Sequence, residues 1–458
     1  MADTPRIIQP RTLKGFRDIL PATMLAREEL LEQVRGVFRA HGYCPFDTPA
    51  LEYTEILLGK GSAENDRQMY RFTDNGGRDV ALRFDLTVPL ARFIAQHAGG
   101  LGVPFRGYHI GSVWRGENTQ RGRYREFMQC DFDAIGTESV VADVETLVVI
   151  NDLLDALGVG EFTIRINSRE ILAGVLEGAG LAERAVPLLR ALDKLDKIGR
   201  DGVATEMMAE AGVDAGQADT VLSLAELDGS AGEVLAGLAE LVVDNEGGQR
   251  GLARLGEIIA AAKAAGVADS RLAVAPAIAR GLDYYTGVVF ETTLDELEDI
   301  GSVCSGGRYD DLAGLYTKQR LPGVGASLGL DRLLAAMDEL GQLPARSTAA
   351  PVFIALFDPE RLHEYLGLAA ELRRAGIGCE VHTEAKKLGA QLKYADRRGF
   401  QLALVMGERE WERGICQVRT LASGDKCELE LKTLAQDLGR LLGEPRAGSR
   451  FTTDSTAS

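Results

Sequence analysis

The chain has 458 residues, 45% of them apolar and 26% charged, a soluble globular composition with room for about three domains. No run of eighteen apolar residues occurs and the opening MADTPRIIQP holds no targeting segment, so a cytoplasmic protein with no membrane partner is expected. The net charge of −17 excludes broad attraction to nucleic acid and leaves only local basic strips for it.

Leu25, Leu30, Leu31, Val34, Val37 and Phe38 recur at helical spacing and Gly42 follows as a stop, predicting a helix from Pro21 to His41. In FDTPALEYTE, Pro49 suits an edge strand or a strand start. Strict alternation in ALRFDLT (81–87) predicts a strand with Leu82, Phe84 and Leu86 on one face and Arg83, Asp85 and Thr87 on the other. Residues 105–115 and 124–133 read as two strands joined by a polar loop. Gly-rich strands follow at 286–292 and 321–327, then a helix from Ser327 to Leu340. Residues 1–169 and 269–345 are thus expected to form one antiparallel, hairpin-rich α+β domain split in the chain.

The block 170–268 has helical periodicity and reads as an insertion. Between Glu170 and Asp269 it holds eighteen acidic and eight basic residues, a net −10. From 350 to 446, strands VFIALF, CEVHT and QLALVMG alternate with helices, predicting a small, mostly parallel α/β domain. Its charge balances, with fifteen of each sign from Pro351 to Arg446. The polar tail 447–458 is expected to be disordered.

Period two in YREFMQCDFD puts Arg125, Phe127, Gln129, Asp131 and Asp133 on one strand face and Met128, Cys130 and Phe132 on the other. The polar face suits a ligand cleft; a solvated sheet face is the plainer alternative. The loop Gly116–Arg123 exceeds a usual hairpin connection and carries Glu117, Arg121 and Arg123, fit for phosphate or RNA contact or simply for solvent. In GVGASLGLDRLLAAM, Arg332 opens an otherwise apolar helix against its dipole, so a phosphate or a carboxylate such as Asp331 is needed to compensate. In ARGLDYYTG, adjacent Tyr284 and Tyr285 face opposite ways if extended, so one can reach a pocket or pack in the core. Six scattered cysteines without a CxxC pair and five dispersed histidines predict no metal site.

Together these segments resemble the class II aminoacyl-tRNA synthetases. FDTPALE, with Pro49, is similar to the first class motif, which builds a dimer interface. Tyr108–Asp133 is similar to the second, with Arg115 and Glu117. GVGASLGLDRLL is similar to the third, with Arg332, although Asp331 stands where Glu is usual. ARGLDYYTG and CSGGRYDDL resemble the histidine-binding segments of histidyl-tRNA synthetases. TLKGFRDILP, RFDLTVPLAR and LGAQLKYADRRG fit that family too, the last in its anticodon-binding domain, and the likeness spans residues 10 to 445.

The resemblance implies a class II antiparallel sheet flanked by helices, with a helical insertion and a C-terminal α/β anticodon-binding domain. It implies a homodimer that activates L-histidine with ATP and transfers it to tRNA(His). Mg²⁺ is implied as part of the ATP complex, with no tightly bound cofactor. The implied catalytic residues are Arg115, Arg280 and Arg332. Arg115 would hold the α-phosphate and the histidine carboxylate, Arg332 the γ-phosphate, and Arg280 the charge on the α-phosphorus. Phe127 would stack on adenine, with Glu117 reading its amino group and Arg123 beside the nucleotide. Asp85, Thr87 and Gln129 would hold the α-amino group, and Asp133, Tyr284 and Tyr285 the imidazole end. A non-catalytic paralogue, the regulatory subunit of ATP phosphoribosyltransferase, is the alternative; such paralogues typically lack the anticodon-binding domain and catalytic residues, whereas this chain retains Arg115, Arg280 and Arg332.

Overall fold

The structure, a computed structural model, describes residues 8–59, 63–279, 285–343 and 348–443. Arg280, Tyr284 and the tail 447–458 lie outside the described residues. The chain divides into two units, one of Met1–Asp18 with Leu30–Leu343, the other of Ile19–Glu29 with Pro344–Ser458.

The first unit is built on a sheet of eight strands among the described residues. Their order is Cys44–Pro45, Phe105–Trp114, Glu126–Ile135, Gly323–Gly329, Cys304–Tyr309, Val288–Leu294, Phe162–Ser168 and Leu272–Val274. The two edge strands pair in parallel and all inner pairs are antiparallel. The period-two reading of 124–133 holds from Glu126, where the strand begins. Cys130 and Phe132 are wholly buried in the core, and Met128 packs at its edge. The Phe132 ring lies 5.1 Å from that of Phe38, on the helix Pro21–Ala40. That core continues without a break into the helices of the acidic block, through Ile171 and Leu172 on Arg169–Gly178 and Leu255 and Ile258 on Glu246–Ala264. The block's apolar stripes face inward and its surplus carboxylates face water.

The strand read at 81–87 is corrected. Asp79–Leu82 is strand, but Arg83–Leu86 is irregular and buried throughout, and Thr87 begins the helix Thr87–Leu101. Pro89 in the first turn fits a helix start, where its missing N–H costs nothing. The Asp85 carboxylate accepts from the Val88 N–H at 3.1 Å, fixing that side chain at the helix mouth. The short strands Leu51–Tyr53, Asp79–Leu82 and Arg71–Thr73 form a separate sheet.

In the second unit, Cys379–Val381, Val352–Ile354 and Leu402–Val405 pair in parallel, as expected. Two further strands, Ile415–Thr420 and Lys426–Glu430, extend the sheet antiparallel. The mostly parallel expectation therefore covers only half of this sheet's pairings. No described helix is long and apolar enough to cross a membrane.

Candidate active site

The polar face of Glu126–Ile135 does not meet solvent. It floors a cavity of about 270 Å³, near the lower end of small-ligand sites. Every described residue given a site role by the resemblance lines it: Asp85, Thr87, Arg115, Glu117, Arg123, Phe127, Gln129, Asp133, Tyr285 and Arg332. Arg125 does not. It precedes the strand and turns to the Glu117 carbonyl, 3.2 Å away.

Part of the lining is cationic. Arg115 follows Phe105–Trp114, donates its Nε to the Phe84 carbonyl at 2.8 Å, and holds its guanidinium 5.2 Å from the Phe127 ring centre. Those two contacts orient the fork before any ligand arrives. Arg332, on Leu330–Glu339, donates to the Ser302 carbonyl. Neighbouring Asp331 pairs with Arg17 and accepts from the Met128 N–H at 2.6 Å. Arg17 also lies over the Tyr124 ring at 3.6 Å. The loop is held elsewhere by Arg121 with Glu339, and Gly122 takes the left-handed turn that its φ of 66° requires.

Another part of the lining is made of acceptors. Gln129 donates to Ser327 Oγ at 2.8 Å, leaving its buried Oε1 without a protein partner among the described residues. Asp131 Oδ1 is buried and unpartnered in the same way. Asp133 accepts from the Tyr309 hydroxyl at 2.5 Å. Burial pushes the Asp133 carboxyl up to about 7, with the Tyr309 hydrogen bond pulling it down and Asp85 pushing it up. Burial likewise lifts Asp85 to about 6, opposed by the Val88 N–H and by Arg115. Asp131 stands well above the usual carboxylate range, through burial first and then the Asp133 charge. Buried orphan acceptors and strained carboxylates call for a ligand that brings N–H donors and positive charge.

Sequence reading gave Asp131 a face but no role, placed Tyr309 only within the segment CSGGRYDDL, and gave Ser327 no site role. Cross-strand register is the missing signal: Asp131 lies opposite Ser327, and Asp133 opposite Gly325. A Cβ on Gly325 would sit 2.1 Å from Asp133 Oδ1, and one on Gly307 2.9 Å from the Tyr285 ring. The glycines therefore keep this part of the cavity open.

Comparison with known proteins agrees with this geometry. A family model described as histidyl-tRNA synthetase matches residues 15–333, and one described as anticodon binding domain matches 351–440. A histidine–tRNA ligase of Rhodopirellula baltica is 61% identical over 417 residues, covering 91% of this chain and 94% of that protein. One of Wolinella succinogenes is 46% identical over 422 residues, with coverages of 92% and 96%. The histidyl-tRNA synthetase structure from Nostoc sp. PCC 7120 superposes with a TM-score of 0.86 at 33% identity, covering 95% of this chain and all of that one. An ATP phosphoribosyltransferase regulatory subunit/histidyl-tRNA synthetase from Bacillus halodurans C reaches 0.72 at 25% identity, over 85% of this chain and 97% of its own. With an anticodon-binding domain matched as well, the regulatory-subunit alternative is not favoured. The chain belongs to the histidyl-tRNA synthetase family.

Proposed function

We propose that the cavity activates L-histidine with ATP and hands it to the 3′ end of tRNA(His), with its acceptors holding the amino acid and its arginines the nucleotide. The observation that carries this reading is one cavity lined by both kinds of group: Asp85, Asp131, Asp133 and Gln129, suited to an ammonium group and ring N–H, and Arg115, Arg123 and Arg332, suited to phosphate.

In the first step a histidine carboxylate oxygen attacks the α-phosphorus, the bond to the bridging oxygen breaks, and pyrophosphate leaves. Arg115, with Arg280, offsets the charge that builds on the phosphorus. Phe127 stacks on adenine, Glu117 reads its amino group, and Arg332 holds the γ-phosphate. Asp85, Thr87 and Gln129 take the α-ammonium group. Asp133 accepts the imidazole N–H, and Tyr284 and Tyr285 complete that end. In the second step a terminal ribose hydroxyl of the tRNA attacks the acyl carbon and AMP leaves. Mg²⁺ accompanies ATP as part of the substrate, its positive charge offsetting phosphate charge.

We further assign residues 1–169 and 269–345 to catalysis, 170–268 to an insertion, and 350–446 to anticodon binding, in a cytoplasmic homodimer. Exposed Leu51, Tyr53 and Phe72 on the small sheet support an interface there. ATP–pyrophosphate exchange run across the amino acids tests the reading, with histidine alone expected to support it; exchange driven equally by another amino acid overturns it. Gly325→Ala should raise the histidine KM at least about tenfold and the ATP KM less, because the new methyl would meet Asp133 Oδ1 at 2.1 Å and the Phe132 carbonyl at 2.4 Å, so carboxylate and strand shift together. Steady-state exchange at varied histidine checks this.

A further inference from the structure

The acidic helical block has no role in the chemistry above, yet one of its side chains, Arg254, pairs with a buried carboxylate outside the block. Asp143, on Val140–Leu157, is wholly buried between two arginines. Its Oδ1 accepts from Arg308 Nε at 2.8 Å and lies 2.6 Å from Arg308 Nη2. Its Oδ2 accepts from Arg254 Nε at 2.7 Å and lies 2.5 Å from Arg254 Nη2. Each guanidinium thus presents two nitrogens to a single carboxylate oxygen, a fork on each side of Asp143. Arg254 belongs to Glu246–Ala264, the last helix of the block, and Arg308 to the strand Cys304–Tyr309.

Arg308 sits between the two residues that shape the imidazole end. Tyr309, next along the strand, donates to Asp133 at 2.5 Å. Gly307, just before, lies under the Tyr285 ring. The Arg308 carbonyl accepts from the Thr286 N–H at 2.8 Å, and Asp310 accepts from the Thr286 hydroxyl at 2.8 Å. The segment carrying Tyr285 therefore hangs on the same stretch of strand. The arginines also clamp the turn before Val140. Arg254 Nη2 donates to the Glu138 carbonyl at 2.9 Å and Arg308 Nη1 to the Thr137 carbonyl at 3.0 Å.

We propose that Arg254 is a positioning residue for histidine recognition, acting through Asp143 on Arg308 so that Tyr309 and Tyr285 are held in register with Asp133. The helical block then contributes to amino-acid binding without touching the amino acid. Removing Arg254 leaves Asp143 with one fork in place of two, which frees the carboxylate to follow Arg308 rather than fix it. Small displacements of groups that grip a substrate cost up to about a hundredfold. Arg115 donates to the Phe84 carbonyl and Arg332 to the Ser302 carbonyl, acceptors outside the Arg254–Asp143–Arg308 chain.

The inference rests on the histidine reading of the cavity, and one experiment separates the two. Arg254→Met and Arg254→Lys are compared with wild type in ATP–pyrophosphate exchange, varying histidine and ATP in turn. The Met variant should raise the histidine KM about tenfold and leave the ATP KM within about twofold. The Lys variant, a point charge without the fork, should fall between. Should the Met variant fail to fold, the Lys variant still has to show a selective rise of about threefold. Equal changes in both KM values, or lost thermal stability with histidine KM unmoved, overturn the positioning role and leave the cavity reading intact. Wild-type exchange that does not depend on histidine overturns both.

Discussion

Replacing Arg115 by alanine is expected to lower histidine-dependent ATP–pyrophosphate exchange about a thousandfold while the unfolding midpoint moves by only a few degrees. The two effects separate because of how the side chain is held. Its Nε bond to the Phe84 carbonyl and its place over Phe127 are one hydrogen bond and one cation–π contact of a half-buried residue, together about 1–2 kcal/mol. What the same contacts do for catalysis is larger. They fix a guanidinium where the α-phosphorus gains charge, so no reorganisation is needed at the moment of reaction. Losing one such preorganised donor costs about 10²–10³ in rate. Arg115 is also the cation that most directly opposes burial at Asp85, so its loss weakens the amino-acid end as well. Arg115→Lys should recover little, because one ammonium cannot hold the Phe84 carbonyl and present a planar fork to phosphate together. Retention of exchange within about tenfold of wild type in the alanine variant would remove Arg115 from the chemistry.

How much of this was legible in the sequence depends on the range of the interaction. The face of Glu126–Ile135 was readable because strand periodicity is two: once Met128, Cys130 and Phe132 go inward, Phe127, Gln129 and Asp133 must share the other side. The same rule misled at 81–87, where Arg83–Leu86 is buried throughout and has no solvent face for alternation to report. Arg332 was recognised as needing a partner, with phosphate, Asp331 or a more distant carboxylate as candidates, but the distant contacts around it were not readable. Asp331 pairs with Arg17, 314 positions away, and Tyr309 reaches Asp133 across 176. No local pattern encodes such contacts. The family resemblance supplied Asp133 and Tyr285 but was silent on Asp131, whose significance comes from sharing one buried floor with two other carboxylates.

That shared floor gives Asp131→Asn an effect whose size should depend on pH. Asp85 and Asp133 are raised to about 6 and about 7, and Asp131 well above the usual carboxylate range, against about 3.9 in the unfolded chain. For each, the folded protein binds the proton more tightly than the unfolded one. The stability they contribute is therefore fully present below about pH 4 and is lost as pH rises through 6 and 7. The unliganded enzyme should thus spend stability at neutral pH on three carboxyl groups crowded into a dry site. Histidine relieves this by bringing an ammonium group and ring N–H donors to them. The expected result is that Asp131→Asn raises the unliganded unfolding midpoint by a few degrees at pH 8 and hardly at all at pH 5. In the same variant, kcat/KM for histidine should fall at least about tenfold at pH 8, since a neutral amide cannot answer the ammonium charge. Added histidine should protect wild type more at pH 8 than at pH 5 and protect the variant less. Calorimetry at the two pH values, with and without histidine, reads all three quantities. A variant less stable than wild type at pH 8, or a gain that does not grow with pH, would mean that Asp131 is a paired structural acid and that Asp85 and Asp133 alone meet the amino acid.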